Sequence, residues 1–275
     1  GASASFTDHM GVTALMAAVR GAHVGVVRKL LEGGGEQAQV NARDEDGVSA
    51  LATAALGGSA EAVSALLEGG AAPDLPDHNG RTALWMGSMR GHAEVVQCLL
   101  DAGATVDWQD HEGITGLMAA VQEDHLDVAL ALLAQPRQNL EAAANNGASA
   151  LLLAASRGNP RMLRALLDAG ARPDHTPPSG YAPLWVASLN GHTQIARMLL
   201  EAGATPDCAE AQGGATALMA AAQNGHVHTV KLLLEAGASV GTRAKGGEMA
   251  VLVAASEQIQ DLLLQYGAGD HLEER

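Results

Sequence analysis

The stretch DHNGRTALWMGSMRGHAEVVQCLLDAGATVDWQ, Asp77–Gln109, decides the fold, because versions of it recur along nearly the whole chain. A glycine precedes each triplet related to its Thr-Ala-Leu, at Gly11, Gly47, Gly80, Gly113, Gly147, Gly180, Gly214 and Gly247. Consecutive glycines of this set are 36, 33, 33, 34, 33, 34 and 33 residues apart. A fixed period of this size predicts stacked helical repeats, none of which buries its apolar face alone.

Two short helices are predicted within this stretch. Thr82 suits the N-cap of a first helix over Ala83–Arg90, which ends at Gly91. Apolar periodicity predicts a second helix over Glu94–Ala102. Gly103 follows at the place where a left-handed helix terminator is expected. An extended, turn-rich loop is then expected to lead into the next repeat.

The other repeats carry the same local signals. Hydroxyl side chains occupy the N-cap place at Thr13, Ser49, Thr115, Ser149 and Thr216. Glycines follow the Leu-Leu pairs by three residues at Gly34, Gly70, Gly170, Gly203, Gly237 and Gly267. Small residues, which let neighbouring helices approach closely, line the first helices at Ala17, Ala18, Ala54, Ala55, Ala119, Ala120, Ala221 and Ala222.

These motifs resemble the ankyrin repeat, whose signature is T-P-L-H-x-A with a period of about 33 residues. Here the tetrapeptides are TALM, SALA, TALW, TGLM, SALL, APLW, TALM and MAVL. The resemblance implies an all-α repeat solenoid, a stack of helix-turn-helix units joined by β-turn or hairpin loops. The family's histidine after the Leu is replaced throughout, by Met16, Ala52, Trp85, Met118, Leu152, Trp185, Met219 and Leu252. In the family that histidine hydrogen-bonds between repeats, so apolar packing is expected to substitute here.

We expect one domain of eight repeats over residues 8–270, after a loose tail or vector-derived remnant at 1–7 and before a charged tail at 271–275. The repeats span residues 8–43, 44–76, 77–109, 110–143, 144–176, 177–210, 211–243 and 244–270. Repeat 1 carries an insertion of three residues within Gly33–Gln39. Repeat 8 is shortened, and the polar outer face expected of a terminal cap comes from Glu257, Gln258, Gln260, Asp261 and Gln265.

Charge and composition narrow the function classes. The formal charge of −15 argues against a nonspecific nucleic-acid or anionic-membrane binder, since such proteins need a basic face. No apolar run approaches the roughly 20 residues of a membrane-spanning helix. Cys98 and Cys208 lie more than three repeats apart and are not expected to bridge, which favours a reducing compartment. We therefore expect a monomer in the cytoplasm, with the nucleus as the alternative.

The eleven histidines invite a metal hypothesis that their spacing disfavours. One set recurs at the turn between the two helices, where polar side chains satisfy backbone groups: His23, His92, His125, His192 and His226. A second set lies at loop tips: His9, His78, His111 and His175. Two of these, His78 and His111, are expected about 10 Å apart, whereas zinc needs three or four ligands at about 2 Å. We expect no metal site and no cofactor.

Catalysis has little support in the sequence. Zinc-protease, phosphate-loop and nucleophile-elbow motifs are missing from it. The Asp residues that begin repeats 1 to 4 are expected to form turns. The Met and Trp residues after each Leu are expected to lie in the core. We therefore expect no enzyme.

A partner-binding surface has better support. In the family, the concave groove of loop tips and first helices contacts partners. The matching places here hold Arg20, Val48, Leu56, Arg81, Met89, Arg90, Ile114, Glu123, Arg157, Tyr181, Leu189 and Asn190. Exposed apolar and Arg side chains in a row are typical of protein interfaces, and ordinary surface variation is the alternative. The arginines would suit a partner that offers carboxylates and apolar anchors.

Two function classes stay open. The first is a non-catalytic scaffold that binds another protein or a peptide segment through the groove. The second is a structural or spacer segment cut from a larger protein such as a channel or kinase. A sequence that extends beyond residue 1 or 275 would favour the second class.

The sequence also predicts a weak junction between repeats 4 and 5. Pro136 stands where other repeats have glycine, and the pattern fails as far as Gly147. A poor junction reduces the coupling between neighbouring repeats. Single-tryptophan variants that keep Trp85 or Trp185 should therefore unfold at different denaturant concentrations when followed by fluorescence. Coincident transitions would show that this junction is as strong as the others.

Overall fold

The computed structural model describes residues 7–32, 37–136, 138–176 and 180–271. The chain divides into two compact units, an N-terminal unit Gly1–Asn145 and a C-terminal unit Asn146–Arg275. The boundary between the units falls inside the stretch where the repeat pattern fails. Most of the predicted insertion in Gly33–Gln39 lies outside the described residues. The helix terminator predicted at Gly34 and most of both tails also lie outside them.

Helices account for nearly all the regular structure of the described residues. Those of the N-terminal unit are α1 (Ala14–Arg20), α2 (Val24–Glu32), α3 (Gln37–Val40), α4 (Ala50–Gly57), α5 (Ala60–Glu68), α6 (Ala83–Arg90), α7 (Ala93–Asp101), α8 (Gly116–Gln122) and α9 (Leu126–Leu133). Those of the C-terminal unit are α10 (Ala150–Arg157), α11 (Pro160–Asp168), α12 (Pro183–Leu189), α13 (Thr193–Glu201), α14 (Ala217–Gln223), α15 (Val227–Glu235), α16 (Ala250–Val253) and α17 (Glu257–Gln265), followed by a 3-10 turn (Ala268–His271). Strand pairing in the described ranges is limited to isolated bridges such as Arg43 with Ser49.

The helices stack in two layers, as the period predicts. In the N-terminal unit the first helices α1, α4, α6 and α8 pack side by side, and so do the second helices α2, α5, α7 and α9. In the C-terminal unit α10, α12, α14 and α16 form one layer and α11, α13, α15 and α17 the other. Buried leucines such as Leu84 and Leu99 fill the space between the layers. Small residues such as Ala55 and Ala221 are fully buried and let first helices approach closely, whereas Ala17 on α1 is exposed.

Local capping explains where the helices begin. Each predicted hydroxyl cap accepts a hydrogen bond from the backbone N–H of the residue three positions later. These caps are Thr13, Ser49, Thr82, Thr115, Ser149 and Thr216. Helix α12 has no such cap and begins at Pro183, whose fixed φ suits a first helical position. Helix α6 has the predicted bounds, and α7 begins and ends one residue earlier than predicted.

The turn histidines of repeats 3, 4, 6 and 7 join each of these repeats to the one before it. In the N-terminal unit, Nε2 of His92 lies 3.3 Å from the Leu56 carbonyl, and Nε2 of His125 lies 3.2 Å from the Met89 carbonyl. In the C-terminal unit, His192 and His226 make the same contacts with the carbonyls of Ser156 and Leu189, at 3.0 and 2.9 Å. The predicted role of these histidines, satisfying backbone groups, is what the structure shows.

Each of these imidazoles lies against a glycine of the preceding repeat. Gly91 adopts φ +75°, and a Cβ placed on it would lie 2.5 Å from Nδ1 of His125. The ring therefore occupies the space that a side chain would take. Gly103 also has a positive φ, +82°, but open space surrounds its missing Cβ. The first glycine serves the contact between repeats, and the second serves only its own helix end.

The expectation that apolar packing replaces the family histidine fails at Trp185. Trp185 stands at that place, and its Nε1 donates a 2.8 Å hydrogen bond to the Ala215 carbonyl of the next repeat. Nor do all the Met, Trp and Leu residues at this place lie in the core. Trp85 and Trp185 are half-buried, and Leu252 is 59% exposed. The equivalent Met16, Met118 and Met219 are buried as expected.

Aspartates form a second set of contacts between repeats, which the sequence pattern did not reveal. Asp74 accepts hydrogen bonds from both the backbone and the hydroxyl of Thr105, at 2.8 and 2.6 Å. Asp174 makes the same pair of contacts with Thr205 in the C-terminal unit. These bonds hold each loop against the next one in the stack.

The polar cap expected at the last repeat is only partly present. Glu257, Gln258, Asp261 and Gln265 are exposed on α17, and Gln260 is half-buried. The same end of the C-terminal unit also exposes Leu252, Leu264 and Tyr266. Helix α16, which carries Leu252, is only four residues long.

Substituting Gly91 and Gly103 separates the contact between repeats from the local backbone preference. Gly103→Ala should cost about 1–2 kcal/mol of unfolding free energy, because alanine disfavours a left-handed φ. Gly91→Ala should cost about 1 kcal/mol more, because the new methyl group displaces the His125 ring from its carbonyl. Denaturant unfolding of both variants measures the difference. Equal losses would show that the histidine contact contributes nothing.

Candidate functional site

A cleft of about 410 Å³ lies between repeats 3 and 4, at the loop tips and first helices of the N-terminal unit. Four residues predicted for partner binding line it: Arg81, Met89, Ile114 and Glu123. The remaining lining residues are Asn79, Trp85, Asp110, His111, Glu112, Ala119 and Gln122. Helices α6 and α8, packed side by side, supply its walls.

The loop tips beside the cleft are held by carboxylates, as their period predicts. Oδ1 of Asp110 accepts the backbone N–H groups of Glu112 and Ile114, at 3.0 and 2.8 Å. The N–H of His111 donates to the Asn79 carbonyl of the preceding loop at 2.9 Å. These bonds place Ile114 and Glu112 in a fixed backbone frame before any partner arrives.

The same turn chemistry affects acidity elsewhere in the chain. At the first loop tip, backbone hydrogen bonds from Val12 and Met10 hold the pKa of the Asp8 carboxyl below its ordinary value. The negative form of a carboxylate is favoured when N–H groups point at it. The lowered pKa of Asp8 therefore favours the ionised form that accepts these hydrogen bonds.

Arg81 is committed to its own repeat. Its Nη2 lies 2.9 Å from Oδ2 of Asp77, whose side chain is only 1% exposed, and its Nε donates to the same oxygen at 3.0 Å. The guanidinium also lies over the Trp85 ring, 5.4 Å from the ring centroid. A cation in this position is attracted to the ring face and screened by the carboxylate.

The cleft consequently does not carry the positive charge that its arginine suggested. Asp110, Glu112 and Glu123 line it, and Arg81 is neutralised by Asp77. Glu112 and Glu123 are exposed and form no ion pair with another described residue. Arg81 therefore offers no unpaired positive charge to a partner's carboxylate at this cleft.

The other predicted residues of the N-terminal unit lie outside the cleft lining. Arg20 forms an ion pair with Asp44 of the next repeat at 3.1 Å, so its charge joins two repeats. Leu56 is exposed near the end of α4, and Arg90 is exposed at the end of α6. Val48, at the tip of the second loop, is half-buried.

In the C-terminal unit the predicted residues form a different surface. Tyr181 lies against Trp185, with ring centroids 5.0 Å apart. Asn190 donates from Nδ2 to the Ser156 carbonyl at 3.2 Å. Leu189 is half-buried, and Arg157 is exposed at the end of α10. Tyr181 occupies the place in repeat 6 that Arg81 holds in repeat 3. Each tryptophan therefore has a planar group against its ring, the guanidinium of Arg81 or the phenol ring of Tyr181.

Several cleft residues were missed at the sequence level. Trp85 was assigned to the core, Asp110 to the turn, and His111 was weighed only as a metal ligand. The signal that could have found them was register, because Trp85 follows Arg81 by four positions, and Asp110 and His111 precede Ile114 by four and three. Across the part of the chain that the structure describes, no group of three His, Cys, Asp or Glu residues could hold a metal ion. No described helix is both long and apolar enough to cross a membrane.

Cys208 is a poorly activated thiol. Burial, with a smaller contribution from the negative charge of Asp174, raises its pKa to about 12. The thiolate is the nucleophilic form of cysteine, and a raised pKa makes it scarce at neutral pH. Cys208 therefore lacks the activation expected of a catalytic nucleophile.

Thiol labelling tests this property directly. Because its thiolate is scarce, Cys208 should react with iodoacetamide more than tenfold slower than an unperturbed cysteine at neutral pH. A Cys98→Ser variant isolates Cys208, and a short unstructured cysteine peptide serves as the reference. Labelling at the rate of the reference peptide would contradict the raised pKa.

The paired helices, the left-handed glycines between them and the stacked loop tips define a helical repeat protein of the solenoid class. The chain belongs to the ankyrin repeat family. The family model for three-copy ankyrin repeats matches residues 1–77, 58–142 and 132–210, and the single ankyrin repeat model matches residues 213–245. Ankyrin repeat domains are generally protein–protein interaction modules, and the fold is generally non-catalytic.

Solved structures agree with this assignment. The ankyrin repeat domain of human ASB11 is 27% identical, with a TM-score of 0.69 over 80% of this chain and 98% of that one. The ankyrin repeat domain of Bcl-3, described as a unique member of the IkappaB protein family, is 28% identical, with a TM-score of 0.73 over 80% of this chain and 100% of that one. Comparison with curated protein sequences gives no significant match.

Proposed function

We propose that the chain is a non-catalytic interaction module that binds a segment of another protein in the cleft between α6 and α8. The observation that carries this proposal is the convergence of Arg81, Met89, Ile114 and Glu123 on one cleft. These residues were singled out by sequence place alone. Apolar, Arg and aromatic side chains around one concavity are the composition that binding sites favour.

The cleft is suited to binding because its parts are held in place beforehand. Arg81 is fixed by Asp77 and Trp85, and the loop tip that carries Ile114 is fixed by Asp110. A surface that is already ordered loses less conformational entropy when a partner binds. Rigid contacts between neighbouring loops therefore favour affinity.

The chemistry of the cleft describes the partner segment. Met89 and Ile114 are half-buried and offer apolar area to an aliphatic or aromatic anchor. Glu112 and Glu123 offer unpaired carboxylates at the cleft. A segment with one apolar anchor and a neighbouring Lys or Arg would use both features. Rim charges of this kind contribute mainly to association rate and specificity.

We propose that the equivalent loop-tip and first-helix surface of the C-terminal unit also binds a partner, with different side chains. Tyr181 and Leu189 offer apolar area, and Arg157 and Asn190 offer polar groups. In the N-terminal unit, Leu56 and Arg90 extend the surface beyond the cleft. We also propose a monomer located in the cytoplasm or nucleus, where a reducing environment suits the free thiols of Cys98 and Cys208.

Selection from a displayed peptide library tests the proposal. The library is selected on the wild-type chain, and binders retained by a Met89→Glu variant are removed. Affinities of the remaining peptides are then measured on Met89→Ala and Ile114→Ala. Each change should weaken binding about tenfold or more, because a central anchor contributes about 2 kcal/mol.

Gln97→Ala is the matched control, since Gln97 is exposed on α7, away from the cleft, and pairs only with Asp101 of its own helix. This variant should bind the selected peptides as wild type does. Binding lost in Gln97→Ala and kept in Met89→Ala would show that the cleft is the wrong surface. A selection that yields no cleft-dependent peptide would favour the spacer alternative.

A further inference from the structure

The second helices of the C-terminal unit carry a row of cations that the proposed function does not use. Arg164 on α11, Arg197 on α13 and Lys231 on α15 stand at the same place in three consecutive repeats, the fifth residue after the turn residue. We call these three residues the basic row. All three are exposed. In the N-terminal unit, repeats 2 to 4 hold neutral side chains at this place: Ser64, Gln97 and Leu130.

The basic row stands out against the composition of the chain. The whole sequence has 16 Lys and Arg residues against 31 Asp and Glu residues. A further positive charge flanks the row, from exposed Arg161 on α11. Repeat 1 also has a cation at this place, Arg28, but it lies 3.5 Å from Glu61 and neutral residues follow at the same place in repeats 2 to 4. Cations at this place in three consecutive repeats are therefore a feature of the C-terminal unit.

The charges of the row are largely available. Lys231 approaches Glu235 of its own helix at 3.8 Å, with side chains 61% and 49% exposed, so this pair is loose and solvated. Arg164 and Arg197 form no ion pair with any residue that the structure describes. An anion that reaches this face therefore displaces water rather than a protein carboxylate.

The face also has a place for a side chain to enter. A groove of about 380 Å³ lies between α13 and α15, lined by Thr193, Arg197, His228, Lys231, Leu232 and Glu235. Its cationic members come from two neighbouring repeats. A carboxylate side chain that enters this groove would meet Arg197 or Lys231.

The geometry of the stack sets the spacing of a ligand. Helices α11, α13 and α15 pack side by side, and packed helices lie about 8–10 Å apart. An extended peptide in the polyproline II conformation advances about 3.1 Å per residue with three residues per turn, so every third side chain lies on the same face. Three residues of extended chain therefore match the step from one cation of the row to the next. Acidic residues at every third position would meet each cation in turn.

We propose that the basic row is a second docking surface, which binds an extended protein segment with acidic residues at every third position. A nucleic acid fits less well, because each helix also ends in a carboxylate, Asp168, Glu201 or Glu235, four residues after the cation. A duplex carries about one negative charge per 1.7 Å and would press against those acids. A peptide with sparse carboxylates meets the row without crowding them.

Fluorescence anisotropy with two labelled peptides tests the proposal. The first carries three glutamates at every third position among Ser and Thr residues. The second has the same composition with the three glutamates adjacent. The first peptide should bind the full chain more tightly than the second. Added salt should weaken its binding, because the Debye length falls from about 30 Å at about 0.01 M ionic strength to about 8 Å at about 0.15 M. Equal binding of both peptides would overturn the spacing and with it the proposal.

Two matched double variants localise the binding. Arg164→Gln with Arg197→Gln should weaken the spaced peptide about five- to tenfold, because two solvent-exposed charge contacts are lost. Arg90→Gln with Arg157→Gln removes the same charge from exposed sites elsewhere and should leave its affinity within about twofold. Equal losses in the two double variants would overturn the proposal, since the effect would then follow net charge alone.

Three further measurements distinguish the basic row from the cleft, from a nucleic-acid site and from a contact between two copies of the chain. Met89→Ala should leave binding of the spaced peptide unchanged, so the two surfaces succeed or fail independently. Single-stranded DNA of equal charge should bind more weakly than the spaced peptide; tighter binding would overturn the peptide as occupant. Sedimentation of the wild-type chain should show no self-association through the basic row. Self-association that is lost in the Arg164→Gln, Arg197→Gln double variant would show that a second copy of the chain is the occupant and would overturn the proposal.

Discussion

The contact between a turn histidine and a glycine of the preceding repeat is the constraint that repeats 3, 4, 6 and 7 share in their stacking. The imidazole of His125 reaches the Met89 carbonyl only because Gly91 has no side chain in the way. The same geometry recurs with His192 and Gly158 in the C-terminal unit. The contact aligns one helix pair on the next at a constant offset. It therefore also aligns the loop tips and first helices that follow in the chain, and with them the side chains that face a partner.

Where that alignment is regular, surface positions become rows, and small changes of residue type give each row its own chemistry. The cleft between α6 and α8 has apolar walls and unpaired acids. Its one arginine, Arg81, adds no net positive charge because Asp77 neutralises it. The second helices of the C-terminal unit carry cations at one repeated place. A chain with a net charge of −15 thus holds two surfaces of opposite character. Average charge describes neither surface, because binding responds to the charges within about a Debye length of 8–10 Å.

The two tryptophans that replace the family histidine show how a repeat is specialised without loss of the fold. Trp85 lies under the guanidinium of Arg81, and Trp185 lies against the ring of Tyr181. Trp185 also keeps a hydrogen bond to the next repeat through its indole N–H. A large, half-buried ring can therefore serve both roles, packing against its neighbours and presenting a flat face at the surface. Large aromatic side chains suit such positions because they combine apolar area with few rotatable bonds.

The sequence by itself determined the period of the repeat, the bounds of α6, the hydroxyl caps and the role of the turn aspartates. These features depend on residues within one turn or one helix, so a single stretch such as Asp77–Gln109 contains all the information they need. Only the tertiary structure decided that Arg81 is neutralised, that Trp85 is half-exposed and that Leu252 is uncovered. The partner of His125 lies 36 residues away in the chain, and that of Trp185 lies 30 residues away. Such contacts, and the exposure of any side chain beside them, depend on how the next repeat sits, which the pattern of one repeat does not contain.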